Sequence, residues 1–109
     1  MQQVFHVFGK VQGVMFRQTF IRGCLKRNLR AGATNNRDRH DKVTCTVEGE
    51  KEAIEELIKR LSNGEPINSW GALVEDLEYS VEPFEIKRHE VTTDNVDSFN
   101  WSRDVTFYL

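Results

Sequence analysis

The stretch Gly9-Lys10-Val11-Gln12-Gly13-Val14-Met15-Phe16-Arg17 holds the residue types best suited to chemistry in this chain. Its glycines bracket a short loop between a β-branched and aromatic run, Gln3 to Phe8, and a helical pattern that begins near Phe16. Gly13 tolerates a positive φ and has no Cβ, so successive backbone N–H groups can turn to one side of the chain. The helix that follows adds further unpaired N–H groups and the positive end of its dipole. These features describe a cradle for an anion, and a phosphate suits it. No Ser, Thr, Asp or Asn stands immediately before the helix, where a side-chain oxygen would normally cap the first amides. Arg17 falls in the first turn, where the dipole disfavours a cation, yet its planar fork can pair two oxygens of a bound phosphate. Taken as a pattern alone, the same residues also describe a structural turn followed by a solvated arginine.

Other clusters of polar residues carry less chemistry. Asp38, His40 and Asp41 crowd one turn, but their spacing matches neither a calcium-binding loop nor a zinc pattern, so they read as a solvated turn. His6 and His89 have no sequence-adjacent Ser, Cys or Asp that would suggest a triad and read as structural or exposed. Cys24 and Cys45 lie among apolar neighbours and read as small buried hydrophobes, with neither a disulfide framework nor a zinc spacing. No metal or other cofactor is expected. Arg22, Lys26, Arg27 and Arg30 line a helix and its exit, where they either raise the local potential for an anionic substrate or form a solvated face.

The elements that must position these residues follow from composition and periodicity. The chain has 109 residues, of which 39% are apolar and 29% charged, with a formal net charge of -2. Such a chain should form one domain, is too apolar for disorder, and lacks the global basic field that would favour nucleic acid. The first twenty residues contain no unbroken apolar run, which argues against a signal peptide, and no segment approaches the roughly 20 apolar residues that span a bilayer. The expected setting is the reducing cytoplasm, with no membrane partner and a monomeric chain.

Gln3 to Phe8 reads as a strand. Phe20, Ile21, Cys24, Leu25 and Leu29 recur at helical intervals, predicting a helix from about Phe16 to Leu29, with Asn28 able to take the left-handed conformation at its end. Ala31 to Asn35 is a short strand of low β propensity. Val43, Cys45 and Val47 alternate with Thr44, Thr46 and Glu48 as a third strand, and Asn36 to Lys42 turns the two into a hairpin. Ala53, Ile54, Leu57, Ile58 and Leu61 stripe a second helix, closed by Asn63-Gly64 and followed by Pro66. Ala72 to Tyr79 supplies a fourth strand with Leu73, Glu75, Leu77 and Tyr79 on one face. The order is βαββαβ, a two-layer α+β plan. Beyond it, Phe84 to Arg88, Phe99 to Trp101 and Val105 to Leu109 are short strand candidates. The polar segment from Glu90 to Asp104 reads as a loop or tail, although Phe99, Trp101, Phe107 and Tyr108 argue that part of it docks.

On the string Gly9 to Arg17 the chain closely resembles the acylphosphatase family. The likeness runs without gaps through the first helix to Asn28-Leu29, where the family commonly has Gly-Leu, and on to a strand asparagine that falls on Asn35. It continues more loosely through Val43 to Gly49, the second helix, Pro66 and Val74-Glu75-Asp76-Leu77, covering about residues 3 to 80. The resemblance implies a ferredoxin-like βαββαβ sandwich, an antiparallel sheet with two helices on one face. It also implies a metal-independent hydrolase that splits acyl phosphates into carboxylate and inorganic phosphate.

Carried over by residue, it implies that the backbone amides of Val11, Gln12, Gly13, Val14, Met15 and Phe16 and the guanidinium of Arg17 bind phosphoryl oxygens. Asn35 would hold the attacking water, making Arg17 and Asn35 the catalytic pair. Two departures stand out. Ala31-Gly32 occupies a place where the family often has Gly-Trp, so an aromatic anchor is missing and the second strand is expected to be looser. The hairpin after Asn35 is longer and lacks glycine, which leaves Asn36 as the alternative water-holding residue. Residues 1–90 are expected to form the acylphosphatase-like domain and 91–109 a C-terminal extension, either an added strand or a tail. The rival expectation is a degenerate relative that binds phosphate or a phosphorylated ligand without turning it over.

Overall fold

The computed structural model describes residues 1–109. Its elements are β1 (Gln2–Lys10), α1 (Phe16–Lys26), β2 (Arg30–Asn35), β3 (Lys42–Glu48), α2 (Lys51–Leu61), β4 (Leu73–Tyr79) and β5 (Val91–Thr92), with 3-10 turns at Ile86–Arg88 and Val96–Ser98. All strand pairs are antiparallel, in the order β4-β1-β3-β2-β5, and the fold is the expected α+β, ferredoxin-like sandwich.

Alternation along the strands decides which side chains meet the helices. One row across the sheet aligns Val91, Ala33, Cys45 and Phe5, and the next aligns Asn35, Val43, Val7 and Leu77. The apolar members of these rows join Phe16, Phe20, Ile21 and Cys24 of α1 and Ile54, Leu57 and Leu61 of α2 in one core. Phe20 lies edge-on to Phe5 and stacks on Phe16, each pair with ring centroids 6.0 Å apart. The small residues Ala31 and Ala33 explain how β2, weak by propensity, accepts α1 so closely.

Several boundaries differ from the sequence reading. α1 stops at Lys26 because Asn28 adopts φ 59 and the Leu29 N–H turns back to the Cys24 carbonyl at 2.9 Å. Leu29 therefore belongs to the core without being helical. In β4 the expected single face is broken by a register shift opposite Phe8 and Gly9. Leu77 still packs on the core, but Val74 rather than Glu75 is buried at the other end. Phe84 to Arg88 forms no strand but ends in a 3-10 turn, Phe99 to Trp101 has no regular structure, and Val105 to Leu109 contributes only the bridge from Phe107 to Asn68. The segment from Glu90 to Asp104 is docked: Val91 and Val96 enter the core, and Leu109 beyond them covers Gly23.

The expected looseness of β2 is also corrected. His89 lies over Gly32 on the sheet face away from the helices, where a Cβ on Gly32 would stand 2.6 Å from the ring. Thr46 donates its hydroxyl proton to the Phe84 carbonyl at 2.7 Å, so the His89 Nε2, also 2.7 Å from Thr46 Oγ1, carries a proton and donates it there. The neutral ring then accepts the Thr34 hydroxyl at Nδ1, 2.9 Å away, and Thr34 Oγ1 in turn accepts the Glu90 N–H at 3.0 Å. Phe84 stacks on the imidazole at 4.1 Å. A histidine from beyond β4 thus covers β2, and its burial pushes the pKa down to about 4.

Gly32→Ala should lower the unfolding free energy by about 1–3 kcal/mol through overpacking against His89, measured by urea denaturation. The depressed His89 pKa has a second consequence. Between its folded value of about 4 and the ordinary 6.5, the unfolded chain binds the extra proton. His89 therefore contributes stability that is fully present above pH 6.5 and declines as the pH falls towards 4. His89→Gln should flatten that part of the stability–pH curve, and an unchanged slope would place the titration elsewhere.

Candidate active site

The loop between β1 and α1 is built around two left-handed residues, Gly13 at φ 76 and Met15 at φ 59. A Cβ on Gly13 would meet nothing within 4 Å, so the glycine serves backbone conformation rather than space. Met15 is the residue before the helix and makes no side-chain cap. A left-handed non-glycine residue is unfavourable by about 1–2 kcal/mol, and neighbouring groups hold it there. The Met15 carbonyl accepts the Thr19 N–H at 3.1 Å and the Thr19 hydroxyl at 2.7 Å.

Asn68, buried in the turn before β4, braces the same loop. Its Nδ2 donates to the Val14 carbonyl at 2.9 Å and to Thr19 Oγ1 at 2.8 Å, while its Oδ1 accepts the N–H groups of Trp70 and Ala72 at 3.0 and 3.1 Å. On the other flank, Gln12 Nε2 reaches the carbonyls of Asn36, Arg39 and Lys42 at 2.9, 3.0 and 2.8 Å. The loop is thereby fixed through its carbonyls and side chains. The N–H groups of Val11 through Gln18 meet no acceptor within the protein.

An open cleft of about 240 Å³ lies against this run of amides. Val11, Gly13, Met15, Phe16, Arg17 and Gln18 line one side, Asn35 stands at the end of β2, and Val91, Phe99 and Asn100 close it from the C-terminal segment. Strand alternation puts Asn35 on the same side as Ala31 and Ala33, so its side chain faces the start of α1. Its Oδ1 is buried and has no hydrogen-bond partner. A buried amide oxygen without a donor is uncommon, and a proton from water or ligand would satisfy it. Asn36 does not line the cleft: its Oδ1 accepts the N–H groups of Asp38 and Arg39, both at 2.9 Å, and closes the hairpin turn. The side chains of Gln12 and Val14 also point elsewhere, to the hairpin and to the core.

Two residues of the site carry no signal in the sequence. Asn68 looks like any polar loop residue until its burial is known. Glu90 lies far along the chain, yet its Oε1 accepts from Arg17 Nη1 at 3.3 Å and from the Asn35 backbone N–H at 3.1 Å. The Thr34 hydroxyl holds the Glu90 N–H, and Asn95 Nδ2 donates to the Glu90 carbonyl at 3.1 Å. The basic set lies off the cleft and is mostly paired: Arg22 meets Asp97 at 3.0 Å, Arg30 meets Glu48 at 2.9 Å, and Arg27 binds Glu56. Asp41 is engaged by Arg39. Burial pushes the thiols of Cys24 and Cys45 up, so neither is a thiolate at neutral pH.

Unpaired amides, one guanidinium and an unpartnered amide oxygen, gathered in an open cleft, can hold a tetrahedral anion and a water beside it. Asn68→Ala should cost about 1–3 kcal/mol of unfolding free energy, because the Val14 carbonyl and the Trp70 and Ala72 amides all lose their partner. An unchanged urea midpoint would show that other contacts hold the loop.

The chain is similar in sequence and fold to known proteins. The family model Acylphosphatase matches residues 3–100. An acylphosphatase from Pyrobaculum calidifontis is 38% identical over 81 residues, covering 72% of this chain and 69% of the relative. One from Pyrobaculum aerophilum is 35% identical over 81 residues, covering 72% and 80%. Among solved structures, the acylphosphatase from Bacillus subtilis superposes with a TM-score of 0.60 at 29% identity, covering 72% of this chain and 81% of that one. HypF from T. kodakarensis gives 0.61 at 31% identity over 82% of this chain, but only 11% of its own length. On the match of residues 3–100 and the identity to these relatives, the chain belongs to the acylphosphatase family.

Proposed function

We propose that the chain hydrolyses acyl phosphates to a carboxylate and inorganic phosphate without a metal ion. The observation that carries this reading is the meeting, in one cleft, of the unpaired amides from Val11 to Gln18, the Arg17 guanidinium and the unpartnered Asn35 Oδ1. In it, the amides of Val11 to Phe16 and the fork of Arg17 take the phosphoryl oxygens, and the loop is a phosphate-binding loop. Glu90 engages one Nη of Arg17, which leaves the other N–H groups of the fork for substrate.

Asn35 Oδ1 accepts a hydrogen bond from water and orients it towards phosphorus. The water oxygen forms the new P–O bond, the bond from phosphorus to the acyl oxygen breaks, and its electron pair leaves with the carboxylate. An asparagine amide does not take up the proton at neutral pH, so a phosphoryl oxygen accepts it. A mixed anhydride has a good leaving group, and positioning with charge stabilisation supplies most of the rate.

In this reading the substrate is a small acyl phosphate, phosphate is the product ligand, and neither nucleic acid nor membrane takes part. Residues 1–90 form the acylphosphatase-like unit, 91–109 an extension folded onto it, and the protein works as a cytoplasmic monomer. The ion pair between Arg17 and Glu90 favours a second reading, a domain that binds phosphate weakly and does not turn substrate over.

Continuous hydrolysis of benzoyl phosphate with EDTA present separates the two. Wild type should turn over, Arg17→Ala should lose about two to three orders of magnitude, and Asn35→Ala should fall sharply as well. Arg17→Lys should fail almost as badly, because a point charge does not reproduce the planar fork. A folded wild type that binds inorganic phosphate through Arg17 without turnover would establish the binding domain instead.

A further inference from the structure

Beyond the phosphate cradle, the cleft has a second wall whose chemistry the reaction itself does not require. Phe99 and Asn100 reach it from the C-terminal segment, and Phe99 keeps 40% of its surface exposed. A single exposed aromatic is ordinary on a protein surface, but this one is held in place by contacts on both sides of it. Val96, three residues earlier, is buried in the core, and its carbonyl accepts Gln18 Nε2 at 3.3 Å from the first turns of α1. Arg22 pairs with Asp97 at 3.0 Å and lies 5.0 Å over the ring of Trp101, which packs on Phe107 at 5.6 Å. The chain on either side of Phe99 is tied to α1, through the Val96 carbonyl before it and the Trp101 ring after it, and Phe99 itself lines the cleft. Met15 lines the same cleft, and its flexible thioether is suited to irregular apolar or aromatic surfaces.

Charge narrows the class of ligand. Arg17 is the one charged residue lining the cleft, and phosphate would claim it. A substrate with a carboxylate at its acyl end would find no counter-charge along the wall, and the one carboxylate beside the cleft, Glu90, is already paired with Arg17. We propose that Phe99 and Met15 form an acyl-binding subsite that selects acyl phosphates with an uncharged aromatic or bulky apolar acyl group. This rests on the acyl phosphate reading of the same cleft. Phe99 is a specificity-determining residue here: it acts on the acyl group and leaves the phosphoryl contacts alone.

Non-hydrolysable analogues test it by binding, independently of turnover. Benzoylphosphonate, acetylphosphonate and inorganic phosphate are titrated calorimetrically into wild type, Phe99→Ala and Phe99→Leu. Wild type should bind benzoylphosphonate about tenfold more tightly than acetylphosphonate, as one aromatic contact allows. Phe99→Ala should erase that preference with phosphate affinity unchanged, and Phe99→Leu should retain most of it. Equal affinities in wild type, a preference that survives Phe99→Ala, a parallel loss of all three ligands in that variant, or binding of neither phosphonate would each overturn the subsite. Hydrolysis of benzoyl phosphate is followed alongside. Intact discrimination without hydrolysis would remove the hydrolase reading and leave the subsite standing, whereas hydrolysis without discrimination would remove the subsite alone.

Discussion

The amides of Val11 to Gln18 form a continuous run of backbone donors with no acceptor in the protein, and the contacts around them are arranged to keep that run open. A helix start ordinarily takes a side-chain cap, and a loop between a strand and a helix ordinarily folds some of its N–H groups back on itself. Here the carbonyls are bound instead. Asn68 and Thr19 hold those of Val14 and Met15, and Gln12 ties its flank to the hairpin. The left-handed backbone at Gly13 and Met15 is then sustained by its surroundings, and the donors remain available to an anion at the cleft.

The second dependency runs through the chain beyond β4. A four-stranded sheet with Gly32 in β2 would have a hollow on the side away from the helices, and His89 fills it with a neutral ring hydrogen-bonded at both nitrogens. Its neighbour Glu90 reaches the other side of the strand edge, where one carboxylate oxygen meets both Arg17 and the Asn35 amide. Val91 continues as the fifth strand beside Ala33. Three consecutive residues thus cover the sheet, connect the two polar groups of the cleft and extend the core. The same segment then supplies Phe99 and Asn100 to the cleft. Covering β2 and shaping the site are consequences of one packing solution.

Much of this was legible in the residues themselves. Helical periodicity in Phe20, Ile21 and Cys24, and strand alternation in Val43 to Val47, reflect burial on one face, a local property that any reader of the sequence can count, although Leu25, which fits the same period, is exposed. Glycine spacing and the missing cap before Phe16 likewise announce an unusual loop, because they concern the conformation of neighbouring residues. Asn35 and Asn36 differ by one position, and alternation along β2 sends them to opposite fates, one in the cleft and one in the turn. Only the observed register of that strand shows which is which.

Tertiary structure alone decided the rest. The bulge in β4 buries Val74 in place of Glu75, and no periodicity announces a register shift. Asn68, His89 and Glu90 are polar residues in polar stretches, and their parts depend on partners 49, 55 and 73 residues away in sequence. The local chain determined the elements and the loop, because backbone conformation and one-sided burial are written in neighbouring residues. The bracing of that loop and the closing wall of the cleft came from packing, since a hydrogen bond across the sheet leaves no trace in spacing along the chain.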